Sequence, residues 1–160
     1  MKDNFKDSVG VQGMFRLHVT EDGKIVGDSG WKKNQVTNLG FNEYLVSTLG
    51  AIAGSKTVSH IALGTGTVPG ATATTLDGES AVSKRQAVTA ATSAGSKTVR
   101  FTATFASSNS FVTASKDISN IGLFNTSAQT TGTLFAGNTY ASSSVATNQN
   151  VNVTYDIIFS

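Results

Sequence analysis

Cysteine is absent from this chain of 160 residues, which removes disulfides, thiolate metal sites and cysteine nucleophiles together. Proline occurs once, at position 69. Charged residues are scarce, at 14%, well below the usual quarter. The 12 Lys and Arg against 10 Asp and Glu leave a formal charge of +2. No basic run exceeds two residues (Lys32-Lys33 and Lys84-Arg85), so phosphate neutralisation is a poor fit and no nucleic-acid partner is expected. No stretch approaches the roughly 18 apolar residues of a membrane-crossing helix, so no membrane partner is expected either. The start, Met1-Lys2-Asp3-Asn4-Phe5-Lys6-Asp7, is polar and has no apolar core behind it, unlike a secretory signal. A product made in the cytoplasm is the resulting expectation.

What replaces the charge is Thr, Ser, Asn, Gly and Ala, with nine Phe and many Val. β-branched and aromatic residues favour sheets. The length allows one domain with a real core. Residues 1–12 read as an N-terminal arm without an apolar pattern of its own. From Gly13 to Thr20 a strand is expected, with Phe15, Leu17 and Val19 on one face and Met14, Arg16 and His18 on the other. Glu21-Asp22-Gly23-Lys24 supplies a hairpin turn, since Asp-Gly tolerates positive φ, and Ile25-Val26 returns. Asp28-Ser29-Gly30 breaks that strand, and Trp31 to Asn34 leads into the single good helix pattern, residues 37–50. There Phe41, Leu45 and Leu49 share one face, Thr37 or Asn38 caps the start and Gly50 ends it. Gly40 weakens the pattern by the cost of glycine inside a helix.

Beyond residue 56 the chain reads as strands and loops. Val58–Leu63 is a short apolar strand followed by a long loop, Gly64 to Ser80. Ala81–Ala90 reads as a strand carrying Arg85. Lys97–Ala106 alternates, with Val99, Phe101, Ala103 and Phe105 on one face. Phe111-Val112-Thr113 pairs nearby in this reading. Ile118–Phe124 and Gly132–Ala136 follow as strands around the Asn125–Thr131 loop. The last segment alternates through Val151, Val153, Tyr155, Ile157 and Phe159. Between Asp117 and Asp156 no charged residue occurs, which fits either central strands or a surface facing another protein. The fold class expected is mainly β, an antiparallel, jelly-roll-like β-sandwich with one short helix, residues 13–160 forming a single domain.

Motifs of chemistry are weak. Gly27-Asp28-Ser29-Gly30 matches a serine-protease nucleophile core, but four small turn residues are common and the chain is short for that scaffold. Gly64-Thr65-Gly66 lacks the third glycine and following helix of a dinucleotide loop. His18 and His60 stand 42 positions apart, with no metal-ligand spacing, and His60 reads as a hydrogen-bonded core or edge residue. Asp77 and Glu79 flank Gly78 and read as an exposed turn. Trp31 reads as a core anchor at the helix entry. No catalytic residue, cofactor or metal is expected, and the chain reads as a non-enzyme.

Three stretches, in order, resemble short bacteriophage virion proteins. The first is His60-Ile61-Ala62-Leu63-Gly64-Thr65-Gly66-Thr67, followed by Pro69, Ala71, Thr74, Leu76, Glu79 and Arg85. The second is Ile118-Ser119-Asn120-Ile121-Gly122-Leu123-Phe124-Asn125, followed by Gly132-Thr133-Leu134-Phe135-Ala136. The third is Val151 to Phe159. The order resembles head-decoration and tail-appendage β-modules over about two thirds of the chain. The resemblance implies a virion structural protein. Its first form is a capsid decoration (cement) protein, a homotrimer that binds the major capsid protein. Its second is a tail, tail-tip or fibre component contacting tail proteins. A third expectation, from another class, is a carbohydrate-binding module using Trp31 or Tyr140 as a stacking platform. Assembly contacts are expected at Asn4, Phe5, Val9 and Val11 in the arm, and at Thr65, Thr67, Val68 and Pro69 in the long loop, whose length is that of a functional segment.

Overall fold

The computed structural model describes residues 8–82 and 84–160. Among the described residues there are ten strands: β1 Val11–Glu21, β2 Lys24–Asp28, β3 Lys32–Val36, β4 His60–Gly64, β5 Gln86–Ala87, β6 Thr89–Ala91, β7 Thr98–Phe105, β8 Lys116–Phe124, β9 Leu134–Val145 and β10 Asn150–Phe159. Every pairing is antiparallel, and the order is β5-β4-β8-β9-β3-β1-β10-β7-β6, with β2 hung on β1. The fold is therefore mainly antiparallel β with one short helix, as expected.

Two short segments bend the sheet towards closure. The first half of β3 pairs with β1 (Phe15↔Lys32, Gly13↔Asn34), and its end pairs with β9 (Val36↔Ala136). Opposite it, β5 pairs with β4 (His60↔Ala87), while β6, one residue further on, pairs with β7 (Ala90↔Phe101). Each segment passes from one ladder to the other, so the sheet wraps on itself and is nearly barrel-like.

The alternating strands bury the faces their sequence marks. Phe15, Leu17 and Val19 of β1 are buried, as are Phe101, Ala103 and Phe105 of β7 and Val151, Val153, Tyr155 and Ile157 of β10. One face meets the interior and the other meets water, which is what period two encodes. The Asp22-Gly23 turn has φ of 49° and 76°, as the hairpin requires. β8 and β9 pair along most of their length inside the sheet, so the charge-free stretch reflects central strands.

Several expectations need correction. Trp31 to Asn34 does not lead directly into the helix, because β3 intervenes. Trp31 itself is 42% exposed and is not a core anchor. Val11 and Gln12, counted with the arm, begin β1, and Val11 pairs with Phe159. Arg85 precedes β5 instead of lying within a strand. Phe111 and Val112 form no strand but are buried, with Phe111 packed on Phe105 at 5.6 Å.

The helix is a π-helical segment, Gly40–Val46, running into an α-helical turn, Ser47–Leu49. Thr37 caps it: its Oγ1 accepts from Gly40 N (2.9 Å) and donates to Leu134 O (2.6 Å). Gly40 is a packing necessity, since a Cβ there would stand 2.2 Å from Phe135 O. The helix thus lies directly on the β9 backbone. Tyr44 is the side chain it sends inward; its hydroxyl donates to Thr133 O and its ring meets Phe135 edge-on at 5.1 Å. Among the described residues, no helix is long and apolar enough to cross a membrane.

Candidate interaction surfaces

The long loop after β4 does not hang free. It folds across the outer face of β8 and β9, where Leu76 and Ala73 pack on Ala62, Phe124 and Leu134 as a second, small apolar cluster. Close approach depends on Gly137, where a Cβ would meet Pro69 Cγ at 2.9 Å. Of the four loop residues expected to make assembly contacts, Pro69 is buried against the sheet, whereas Thr65, Thr67 and Val68 are exposed. Polar ties complete the docking. Asn120 Nδ2 donates to Asp77 O (2.8 Å) and Thr67 O (3.2 Å), Leu134 N donates to Thr74 O (3.3 Å), and Asn38 N donates to Ala71 O (2.7 Å).

The end of the loop is locked by a buried ion pair. Arg85 Nε and Nη2 donate to the two carboxylate oxygens of Glu79 at 2.5 and 2.9 Å. Arg85 Nη1 donates to Thr126 O (3.1 Å) and Thr131 O (3.0 Å), in the loop between β8 and β9. The guanidinium lies 3.6 Å over the Phe124 ring. The two side chains are 0% and 3% exposed, so Glu79 does not belong to an exposed turn. A guanidinium fork, a matched carboxylate and two carbonyls satisfy one another without water.

Asp77 remains exposed and closes the loop differently. Its carboxylate accepts from Thr67 N (2.9 Å) and Thr67 Oγ1 (3.0 Å), and the backbone donor of Thr67 chiefly holds its pKa below the ordinary carboxylate value. A depressed acid contributes stability above its unfolded pKa of about 3.9, and loses it as pH falls through the lower folded value. The Thr67 amide is therefore expected to lose hydrogen-exchange protection below about pH 4, after correction for intrinsic rates. An Asp77→Asn variant should show no such acid step. A wild-type amide equally protected at pH 6 and pH 2.5 would contradict the role given to Asp77.

A second surface lies at the end of the barrel, beside the helix. A groove of about 750 Å³ is walled by Phe41, Leu45 and Leu49 of the helix, Val99 and Phe159 of the sheet, and Val9 and Val11. Phe101, Phe135 and Ile157 also line it. The helical stripe therefore lines this groove, while Tyr44, Gly40 and part of Leu45 make the inward contact. Val9 is 77% exposed, Leu49 91% and Phe41 39%; Val46 and Ile52 beside them are exposed too. The charges near the groove are already matched, because Lys56 Nζ pairs with Glu43 and bonds Thr133 Oγ1 at 2.7 Å. Val9 and Val11 are thus brought together with the helix, whereas Thr65, Thr67, Val68 and Pro69 line no part of the groove. Asn4 and Phe5 lie outside the described residues. The Phe41–Leu45–Leu49 face was legible in the sequence, but not the groove it borders; the apolar Val46, off that stripe and also lining the groove, was the available signal.

The remaining singled-out residues are held in structural contacts. Ser29 Oγ accepts from Leu17 N (2.9 Å) and donates to Gly30 O (2.8 Å), while Asp28 takes both Arg16 donors; His18 Nε2 stands 3.6 Å from Asp28. His60 Nδ1 sits 2.8 Å from Ser59 Oγ, and burial pushes its pKa down. Tyr140 is buried against Phe15 and offers no platform to a sugar, which leaves Trp31 alone for that role. Among the described residues no three His, Asp or Glu gather as metal ligands. No family model, no curated protein and no solved structure matches the chain.

Proposed function

We propose that this chain is a non-enzymatic structural protein of a bacteriophage particle, a capsid decoration protein that binds the major capsid protein and stabilises the head. The observation that carries this reading is an apolar groove, rimmed by exposed Val9, Phe41 and Leu49, on a charge-poor module. Exposed apolar clusters of this kind mark protein contacts in soluble chains. The docked loop adds a second surface, presenting Thr65, Thr67 and Val68, with the Asp77 carboxylate held by Thr67 beside them. The order of the Ala62-Leu63-Gly64-Thr65-Gly66, Ile121-Gly122-Leu123-Phe124-Asn125 and Gly132-Thr133-Leu134-Phe135-Ala136 stretches points to phage virion proteins. In the same reading the two ladders form a jelly-roll-like sandwich, and the site of action is the virion.

Empty expanded capsids lacking the protein provide the test. Purified protein should bind them saturably and raise their disruption temperature. Absence of binding across low and high salt, with no labelled protein on heads by electron microscopy, would overturn the capsid reading. Label found on tails would move the module to a tail or fibre position.

A further inference from the structure

We propose that the end of the helix and the groove beside it form a two-fold interface, in which Leu49 of each of two copies enters the groove of the other. This rests on reading the chain as an assembly module. It gives this face to a second copy and leaves the docked-loop surface to the capsid.

The first argument is local. From Tyr44 to Ser55 the chain carries no charge. The two charges that bracket this stretch, Glu43 and Lys56, pair with each other, and Lys56 N donates to Glu43 O (2.9 Å). The stretch is a neutral excursion pinned at its base. Within it Val46, Leu49 and Ile52 are all exposed. A leucine with as little cover as Leu49 adds almost nothing to the core of its own chain. Contiguous exposed apolar residues of this kind mark a contact surface.

The turn after the helix holds this projection in shape. Ile52 N donates to Ser47 O (2.9 Å) and Ala51 N to Thr48 O (3.1 Å), the pair of bonds that closes a helix through a left-handed residue. Ala51 takes that position with φ of 48°, where glycine is the usual choice. The closure brings Ile52 back over the last turn. A Cβ on Gly50 would meet Ile52 Cγ1 at 3.2 Å and Val46 O at 3.6 Å. A projection ordered in advance loses little freedom on binding.

The choice of a second copy follows from the position of the groove. Val46 and Leu49 also line it, so projection and recess stand side by side. A two-fold axis between them brings each copy's projection to the other's recess, and both contacts form at once. The recess suits the projection. Phe101, Phe135 and Ile157 line its buried part, and exposed Thr48 and Thr57 stand with the Glu43–Lys56 pair at its margin. An apolar centre with a polar rim is the anatomy of a specific interface. With its charges matched internally, the face does not repel a copy of itself. Size is also in range. Phe41, Val46, Leu49 and Ile52 expose on the order of 400 Å² between them, about half of the roughly 800 Å² that each partner gives to a stable pair. The groove walls and their polar margin add to that area.

Light scattering coupled to size exclusion provides the test. It compares the parent chain with Leu49→Asp, Ile52→Asp and Val26→Asp, the last a control at an exposed apolar site on β2. The parent and the control should be dimers. Leu49→Asp and Ile52→Asp should each weaken pairing at least roughly tenfold, the effect of losing one buried aliphatic side chain. All three sites are exposed, so circular dichroism should show the same β signal throughout. A monomeric parent, a trimer, or a dimer that both variants leave intact would overturn the proposal. So would a control that fails to pair. Capsid binding is read separately. A dimeric parent that ignores capsids sinks the virion reading alone, and a monomeric parent that binds them sinks the pairing alone.

Discussion

Arg85→Ala is expected to destabilise the fold by about 3–5 kcal/mol, the usual effect of removing one partner from a buried pair. Arg85 satisfies Glu79, two carbonyls of the β8–β9 loop and the face of Phe124 at once. Without it, the Glu79 carboxyl is left without its partner in a site that is 3% exposed, and Thr126 and Thr131 lose their donor. Urea unfolding measures the loss. Glu79→Met with Arg85→Met should recover much of it, because apolar groups of similar volume leave nothing uncompensated. Arg85→Lys should recover less, since an ammonium cannot reproduce the fork. A single alanine variant within about 1 kcal/mol of the parent would show that the pair is not what holds the loop.

Phe15→Ala should cost a comparable amount, about 3–5 kcal/mol, by a different route. Phe15 is fully buried, stacked on Tyr155 with centroids 5.7 Å apart and edge-on to Tyr140 at 6.0 Å. These rings come from β1, β10 and β9, and Asn34 of β3 donates to the Tyr155 hydroxyl. The cluster therefore stands where β3 passes from one ladder to the other. Phe15→Leu, which keeps most of the volume, should cost less than about 1.5 kcal/mol. Loss of near-ultraviolet dichroism from the tyrosines should accompany the alanine variant. A retained tyrosine signal and an unchanged denaturation midpoint would mean that the neighbours collapse into the space without penalty.

The parts of this fold that were legible are those in which one local pattern meets one local environment. β1, β7 and β10 each alternate because one face is wet, and the Asp22-Gly23 turn and Thr37 cap are short-range devices. β3 was illegible because Lys32-Lys33-Asn34-Gln35 carries no apolar alternation; its strand character comes from two neighbours distant in sequence. The second half of β9, rich in Ser and Thr, hid for the same reason. Glu79 and Tyr140 each look suited to the surface, and only tertiary partners account for their burial. At the candidate surfaces, the long loop was legible as a loop from its Gly, Thr and Pro content, but the inward turn of Pro69 depends on the space left by Gly137. The helix shows the subtlest case. Its periodic stripe was visible, but the closeness of Gly40 to β9 directs that stripe to the groove.

The pairing of β1 with β10 has a consequence in time. Val19 lies opposite Val151 and Val11 opposite Phe159, so the earliest strand made waits for the last. At about 5–20 residues per second of synthesis, β1 spends many seconds without its neighbour on the ribosome. Folding of such a non-local topology takes milliseconds to seconds and cannot be completed before β10 has been made. During that interval the apolar face of β1 is open to capture by other nascent chains, and the speed of synthesis and the supply of chaperones would set the yield of properly formed molecules.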